Sequence, residues 1–154
     1  MSKISFTRFK AIVLEEMNYL LDRGYQVFMN EYSVPPQHIQ FRKELVEGLV
    51  AIIEFQLKQI YAPPLQSFNV RLRRNHVPLE SEKDLPVVVT LASLMWLKYK
   101  IRIFPDKKYF WEFSSEEELY DELKHARLYL NRYGIKWLEK PSSTINWKEE
   151  EKSP

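Results

Sequence analysis

Residues 114–141, SSEEELYDELKHARLYLNRYGIKWLEKP, carry the start and stop signals of a helix in one run. Ser114 and Ser115 precede three glutamates, which suits an N-cap followed by carboxylates at the positive end of the helix dipole. Leu119, Leu123, Ala126, Leu130 and Tyr133 then recur at helical spacing and define one apolar stripe. Gly134 stands where a left-handed terminating residue is expected, with Ile135, Trp137 and Leu138 folding back as an apolar clip. A helix with one greasy stripe needs a partner surface, so this segment demands a packed core.

The rest of the chain offers such a surface. Phe68–Arg74 alternates strictly: Phe68, Val70 and Leu72 face one way, and Asn69, Arg71 and Arg73 the other. Ile39–Val46 pairs with Leu49–Leu57 across a turn at Glu47-Gly48. Residues 41–61 also fit helical spacing through Leu45, Leu49, Ile52, Ile53, Leu57 and Ile60. The alternation of Ile53, Phe55 and Leu57 against Glu54, Gln56 and Lys58 favours strands. Tyr25–Tyr32 is aromatic and β-preferring. Pro35-Pro36 and Pro63-Pro64 break the pattern, and residues 33–38 read as a loop.

Upstream, residues 4–23 form a first helix that buries Phe9, Ile12, Val13, Met17 and Leu20 and ends at Gly24. Residues 75–84 are a polar surface loop. Asp84 and Pro86 suit the cap and first turn of another helix, Val87–Lys98, apolar almost all round. Residues 101–113 read as a short hairpin around Pro105-Asp106.

Together these segments predict an α+β fold. An N-terminal helix, an antiparallel sheet of about four or five strands and two C-terminal helices pack on one sheet face, leaving the other face wet. Residues 1–140 read as a single domain and residues 141–154 as a flexible tail, in which Ile145 and Trp147 are the docking-capable groups.

Several function classes lack their residues. The chain has no cysteine, which removes disulfides, thiolate catalysis and cysteine metal sites. His38, His76 and His125 lie far apart, with no second ligand at metal-binding spacing. The glycines, Gly24, Gly48 and Gly134, are isolated, so no phosphate-cradling loop can be written. The serines show no nucleophile-elbow context. Glu31, Glu44 and Glu54 near Lys58 are the raw material of a carboxylate site, but the Glu54–Lys58 spacing is wrong for a compact acid–lysine pair. The expectation is therefore no enzyme, no cofactor and no metal. No window approaches the roughly 20 apolar residues of a membrane span, and a cytoplasmic protein is expected.

Net charge is +2. Residues 1–75 hold 10 basic and 7 acidic side chains, and residues 76–154 hold 13 and 14, so no broad field steers a polyanion. Two local basic segments stand out. Arg71, Arg73 and Arg74 run into His76, and Lys98, Lys100 and Arg102 continue to Lys107 and Lys108, interleaved with Tyr99, Tyr109 and Trp111. The candidate binding surface is Arg71, Arg73, Arg74, His76, Lys98, Lys100, Arg102 and Tyr109. Cross-strand pairing of Arg71 or Arg73 with Glu54 or Glu44 competes with that role and is the favoured reading of those arginines. Trp96, Trp111 and Trp137 read as core, whereas Tyr120 and Tyr129 lie off the main helical stripe. The function expected is a non-catalytic protein-interaction module of immunity or adaptor type. The alternative is an RNA- or DNA-binding module using a basic sheet face.

Overall fold

In the computed structural model the described residues are 3–29, 37–46, 48–59, 66–76, 87–104 and 111–140. Helix α1 spans Phe6–Glu16, capped by the Ser5 side chain accepting from the Arg8 amide, and the short α2 spans Tyr19–Asp22. The expected single helix is thus interrupted at Met17-Asn18, but its predicted apolar stripe is fully buried. Gly24, at φ +95°, turns the chain out of α2, as a residue without Cβ can.

The sheet follows. Strands β1 (Gln26–Met29), β2 (Gln37–Val46), β3 (Leu49–Gln59), β4 (Gln66–His76) and β5 (Val87–Thr90) are antiparallel neighbours in chain order. The predicted β2–β3 hairpin is present, with Gly48 at φ +79° in its turn, and the helical alternative over residues 41–61 is excluded. Strand β2 begins at Gln37, so His38 belongs to a strand and not to the expected loop. Strand β6 (Trp111–Phe113) pairs with the first residues of β4, while β5 pairs further along the same edge. The turn of the expected hairpin, at Pro105-Asp106, lies outside the described residues; residues 101–104 form no strand, and residues 111–113 pair with β4.

The predicted helix Val87–Lys98 is corrected in the same region. Val87, Val88 and Val89 are β-branched and favour the pleated strand, and they register with Arg74, Arg73 and Leu72. Helix α3 starts at Leu91 and runs to Tyr99, capped by Thr90 Oγ1 accepting from the Ser93 amide at 3.0 Å. The proposed Asp84 cap and Pro86 lie outside the described residues, as do Tyr109, Trp147 and the whole segment 141–154.

Helix α4 (Glu116–Tyr129) begins where the serines predict. Ser115 Oγ accepts from the Glu118 amide at 3.1 Å, and the Glu118 carboxylate accepts from the Ser114 amide and hydroxyl at 2.6 and 2.8 Å. Its predicted end is corrected. Gly134 is right-handed (φ −61°, ψ −49°), and the helix continues through a π turn at Leu130–Gly134 into α5 (Ile135–Glu139). The glycine serves close packing instead of chain reversal: a Cβ there would lie 3.1 Å from Leu130 Cδ1, 3.1 Å from Leu91 Cδ1 and 3.4 Å from Leu72 Cδ1.

All helices bury their apolar sides against one sheet face, built by Ile39, Phe41, Ile53, Phe55, Phe68, Val70 and Leu72. Phe68 is the hub. Its ring stacks on Trp111 at 5.5 Å and meets Phe9, Phe55 and Phe113 at 6.2, 6.5 and 6.3 Å. Such aromatic pairs contribute about 0.5–1.5 kcal/mol each beyond area burial.

Candidate functional site

The second sheet face carries the residues that chemistry notices. Antiparallel register places Gln40, Glu54, Arg71 and Thr90 in one row and Arg42, Ile52, Arg73 and Val88 in the next. Period-two geometry then puts both rows on the side away from the helices. This face is not simply wet. Gln40, Ile52, Glu54, Gln56, Ser67 and Asn69 are all buried, which corrects the expected one-sided sheet.

Much of the reason lies in side-chain length around Glu54, which is only 2% exposed. Gln40 Nε2 donates to Glu54 Oε2 at 2.6 Å, and Gln40 Oε1 in turn accepts from Arg42 Nε and Nη2 at 2.9 and 2.6 Å. Arg71 Nη1 donates to Glu54 Oε1 at 3.3 Å, and Arg73 Nη1 lies 3.8 Å from Oε2. The Arg42 guanidinium lies 4.4 Å from the centre of the Phe28 ring. A buried carboxylate requires such compensation, because an uncompensated charge in a low-dielectric site is costly. The network thus turns Arg71 and Arg73 inward onto Glu54, as the cross-strand pairing expectation has it.

Arg74 takes a different course. One residue further along the strand it projects from the helix-covered face, where it is buried against Trp137 at 4.8 Å and Nη1 donates to the Lys140 carbonyl at 2.7 Å. Burial pulls its guanidinium below the ordinary arginine range. His76 ends β4 with its backbone opposite Leu49. Glu44 shares the Glu54 face and is exposed, while Glu31 lies outside the described residues. Among the described residues no three His, Asp or Glu side chains converge as a metal site would require.

The second basic segment gathers around a different centre. Helix α3 closes with Lys100 in the left-handed conformation (φ 56°, ψ 32°). Its amide donates to the Met95 and Trp96 carbonyls, and the Ile101 amide returns to the Met95 carbonyl at 3.1 Å. This reversal, anchored by buried Ile103, brings Lys100 Nζ to 5.6 Å and the Arg102 guanidinium to 5.5 Å from the centre of the Trp96 ring. Lys98 and Arg102 are exposed, and Trp96 itself is 47% exposed.

The expectation that Trp96 is core is therefore corrected, although Trp111 and Trp137 are buried as read. Leu91, Leu94 and Met95 already fill the buried side of α3, and Trp96, one position on from Met95, turns outward. The signal was present in the sequence as a tryptophan four residues before one cation and six before another. An almost wholly apolar helix hid which side was wet. Tyr120 and Tyr129 are half-buried against the core, the Tyr120 hydroxyl donating to Glu15 at 2.7 Å. Of the candidate surface, the structure gathers Arg71 with Arg73 on Glu54 and Lys100 with Arg102 on Trp96. It sets Arg74 on the opposite face from Arg71 and Arg73.

No helix of the described residues is long and apolar enough to cross a membrane. Comparison with protein-family models, curated proteins and solved structures finds no match to this chain, so its function rests on these residues alone.

Proposed function

We propose that this chain is a non-catalytic protein-interaction module, working in the cytoplasm without a cofactor, of the kind found among immunity and adaptor proteins. The observation that carries the reading is Trp96. A tryptophan nearly half exposed on an ordered helix, with a lysine and an arginine over its ring, combines the residue types that dominate interface hot spots.

The nucleic-acid reading on the sheet face has weaker support. Arg71 and Arg73 are committed to Glu54, so phosphate would have to compete with a buried carboxylate for the same guanidinium groups. The balanced net charge points the same way.

The test is retrieval followed by reconstitution. The intact chain, immobilised at moderate salt, retains a discrete protein. That protein, purified, binds in free solution with simple stoichiometry and a Kd below about 10 µM. Retention of nucleic acid only, with affinity falling steeply in salt, overturns the proposal, as does turnover of a substrate by the purified chain.

A further inference from the structure

We infer that the second sheet face receives an acidic side chain of a protein partner between Arg42 and Arg73; this rests on the module reading and names the chemistry of one contact. Register sets the site. Arg42, Ile52, Arg73 and Val88 form one row across β2 to β5, beside the row that holds Gln40, Glu54 and Arg71. In these two rows three guanidinium groups share one carboxylate, that of Glu54. Positive charge is therefore left over at a fixed place on the sheet.

Hydrogen bonding shows which groups carry the surplus. Glu54 gives Oε1 to Arg71 and Oε2 to Gln40. Arg42 is held by a neutral acceptor, Gln40 Oε1, through Nε and Nη2, which leaves the Nη1 end of its fork for another group. Arg73 lies 3.8 Å from Glu54 Oε2, close enough for charge attraction but beyond a hydrogen bond. Its Nε is buried and meets no acceptor among the described residues. Arg73 can therefore donate to a second carboxylate without giving up a hydrogen bond to the first.

Spacing and surroundings suit an interface. Arg42 and Arg73 flank buried Ile52 at two strand spacings, about 10 Å between backbones. One carboxylate above Ile52 comes within reach of both long side chains. Exposed Phe28 lies against the Arg42 guanidinium, and exposed Val88 stands directly opposite Arg73. Arginine beside aromatic and apolar groups is the composition of an interface hot spot. Paired strands hold the whole row, so little freedom is lost on binding.

The occupant follows from the charge pattern. A carboxylate accepts paired N–H groups from a guanidinium, and such charge-assisted contacts are strong and directional. The row of Arg42 and Arg73 has Glu54 on one side and exposed Glu44 on the other. A run of phosphates would spread its charge toward both acids, whereas a single carboxylate is confined between the arginines. The site therefore fits an aspartate or glutamate of a protein better than DNA or RNA.

The experiment uses the full chain and three fluorescein-labelled probes: a short peptide alternating leucine with aspartate, the same peptide with asparagine for aspartate, and an oligothymidylate of matched length. Anisotropy is followed at about 50 mM salt, where surface charge is incompletely screened. The aspartate peptide binds saturably and more tightly than either other probe. Arg42→Gln and Arg73→Gln each weaken it by about tenfold, whereas Arg132→Gln, removing an exposed arginine of the π turn, leaves it unchanged. Val88→Glu sets a carboxylate directly opposite Arg73 on the neighbouring strand and fills the site from within. Peptide binding then weakens while Tm stays at or above the wild-type value, a combination that loss of folding cannot produce. No binding of the aspartate peptide, equal binding of the asparagine peptide, tighter binding of the oligonucleotide, or unchanged binding by the Arg42, Arg73 and Val88 variants overturns the inference. If a retrieved protein partner binds Arg73→Gln and Val88→Glu as well as it binds the wild type, the acidic-contact inference fails and the module reading stands.

Discussion

Glu54→Gln tests the central feature of the second sheet face, because it keeps the shape of the side chain and removes its charge. The carboxylate accepts from Gln40 at 2.6 Å and Arg71 at 3.3 Å, with Arg73 at 3.8 Å. An amide of the same shape can present its oxygen to one side only. Its NH2 then faces either Gln40 Nε2 or Arg71 Nη1, donor against donor. Losing a charge-assisted hydrogen bond costs about 1.5–3 kcal/mol, and breaking one side of a fully buried pair costs about 3–5 kcal/mol. The Arg71 and Arg73 side chains are 32% and 28% exposed, so their guanidinium groups can turn toward water, and the lower part of that range applies. A loss of about 2–3 kcal/mol follows. For a domain of this size it corresponds to a fall in Tm of roughly 5–10 °C. The assay is a thermal melt with a parallel urea titration at neutral pH. Glu54→Leu combined with Gln40→Met, Arg71→Met and Arg73→Met should recover most of that loss, because the row then holds no buried donor deprived of the Glu54 acceptor. A Glu54→Gln variant melting within about 1 °C of wild type would refute the reasoning. The carboxylate would then be an ornament of the sheet, and Arg71 and Arg73 would be free to serve a ligand.

Three further outcomes follow from other parts of the fold. Gly134→Ala, which at an exposed helical site would gain about 1 kcal/mol, should instead lose about 1 kcal/mol by urea denaturation, because the new methyl meets three buried leucines at 3.1–3.4 Å; a rise in stability would show that the leucines give way. Ser115→Ala should cost about 1 kcal/mol by removing the acceptor of the Glu118 amide, and an unchanged melt would mean that Ser114 and Glu118 cap α4 by themselves. Burial pushes the Tyr19 phenol up to about 12. The folded state therefore holds that proton more tightly than the unfolded chain, whose phenols titrate near pH 10; stability is full below about pH 10 and lost between 10 and 12. The loss should be smaller in Tyr19→Phe, measured by urea denaturation across that range, and identical pH profiles would contradict it.

What the sequence determined by itself was local. Period-two alternation marked β4 and the second half of β3, because a pleated strand sends successive side chains to opposite faces whatever it pairs with. The serine–glutamate start of α4 and the glycine end of α2 were equally legible, since caps and left-handed turns are settled within a few residues. Tertiary structure decided the rest. Whether Val87–Thr90 is strand or helix turned on the open edge of β4, which three valines could join. Gly134 looks like a stop in the sequence because its φ cannot be seen in one dimension; the leucines from β4 and α3 that need its missing Cβ are 62 and 43 positions away in the chain. Arg71 and Arg73 were visible as a basic pair, but only the register beside β3 put Glu54 between them. Trp96 looks like core in the sequence because an apolar helix has no evident wet side; the sheet beneath α3 decides which residues are covered and leaves the indole outside. Alternation and capping are short-range geometry, whereas burial and charge pairing depend on which distant segments meet, and that is a property of the folded chain alone.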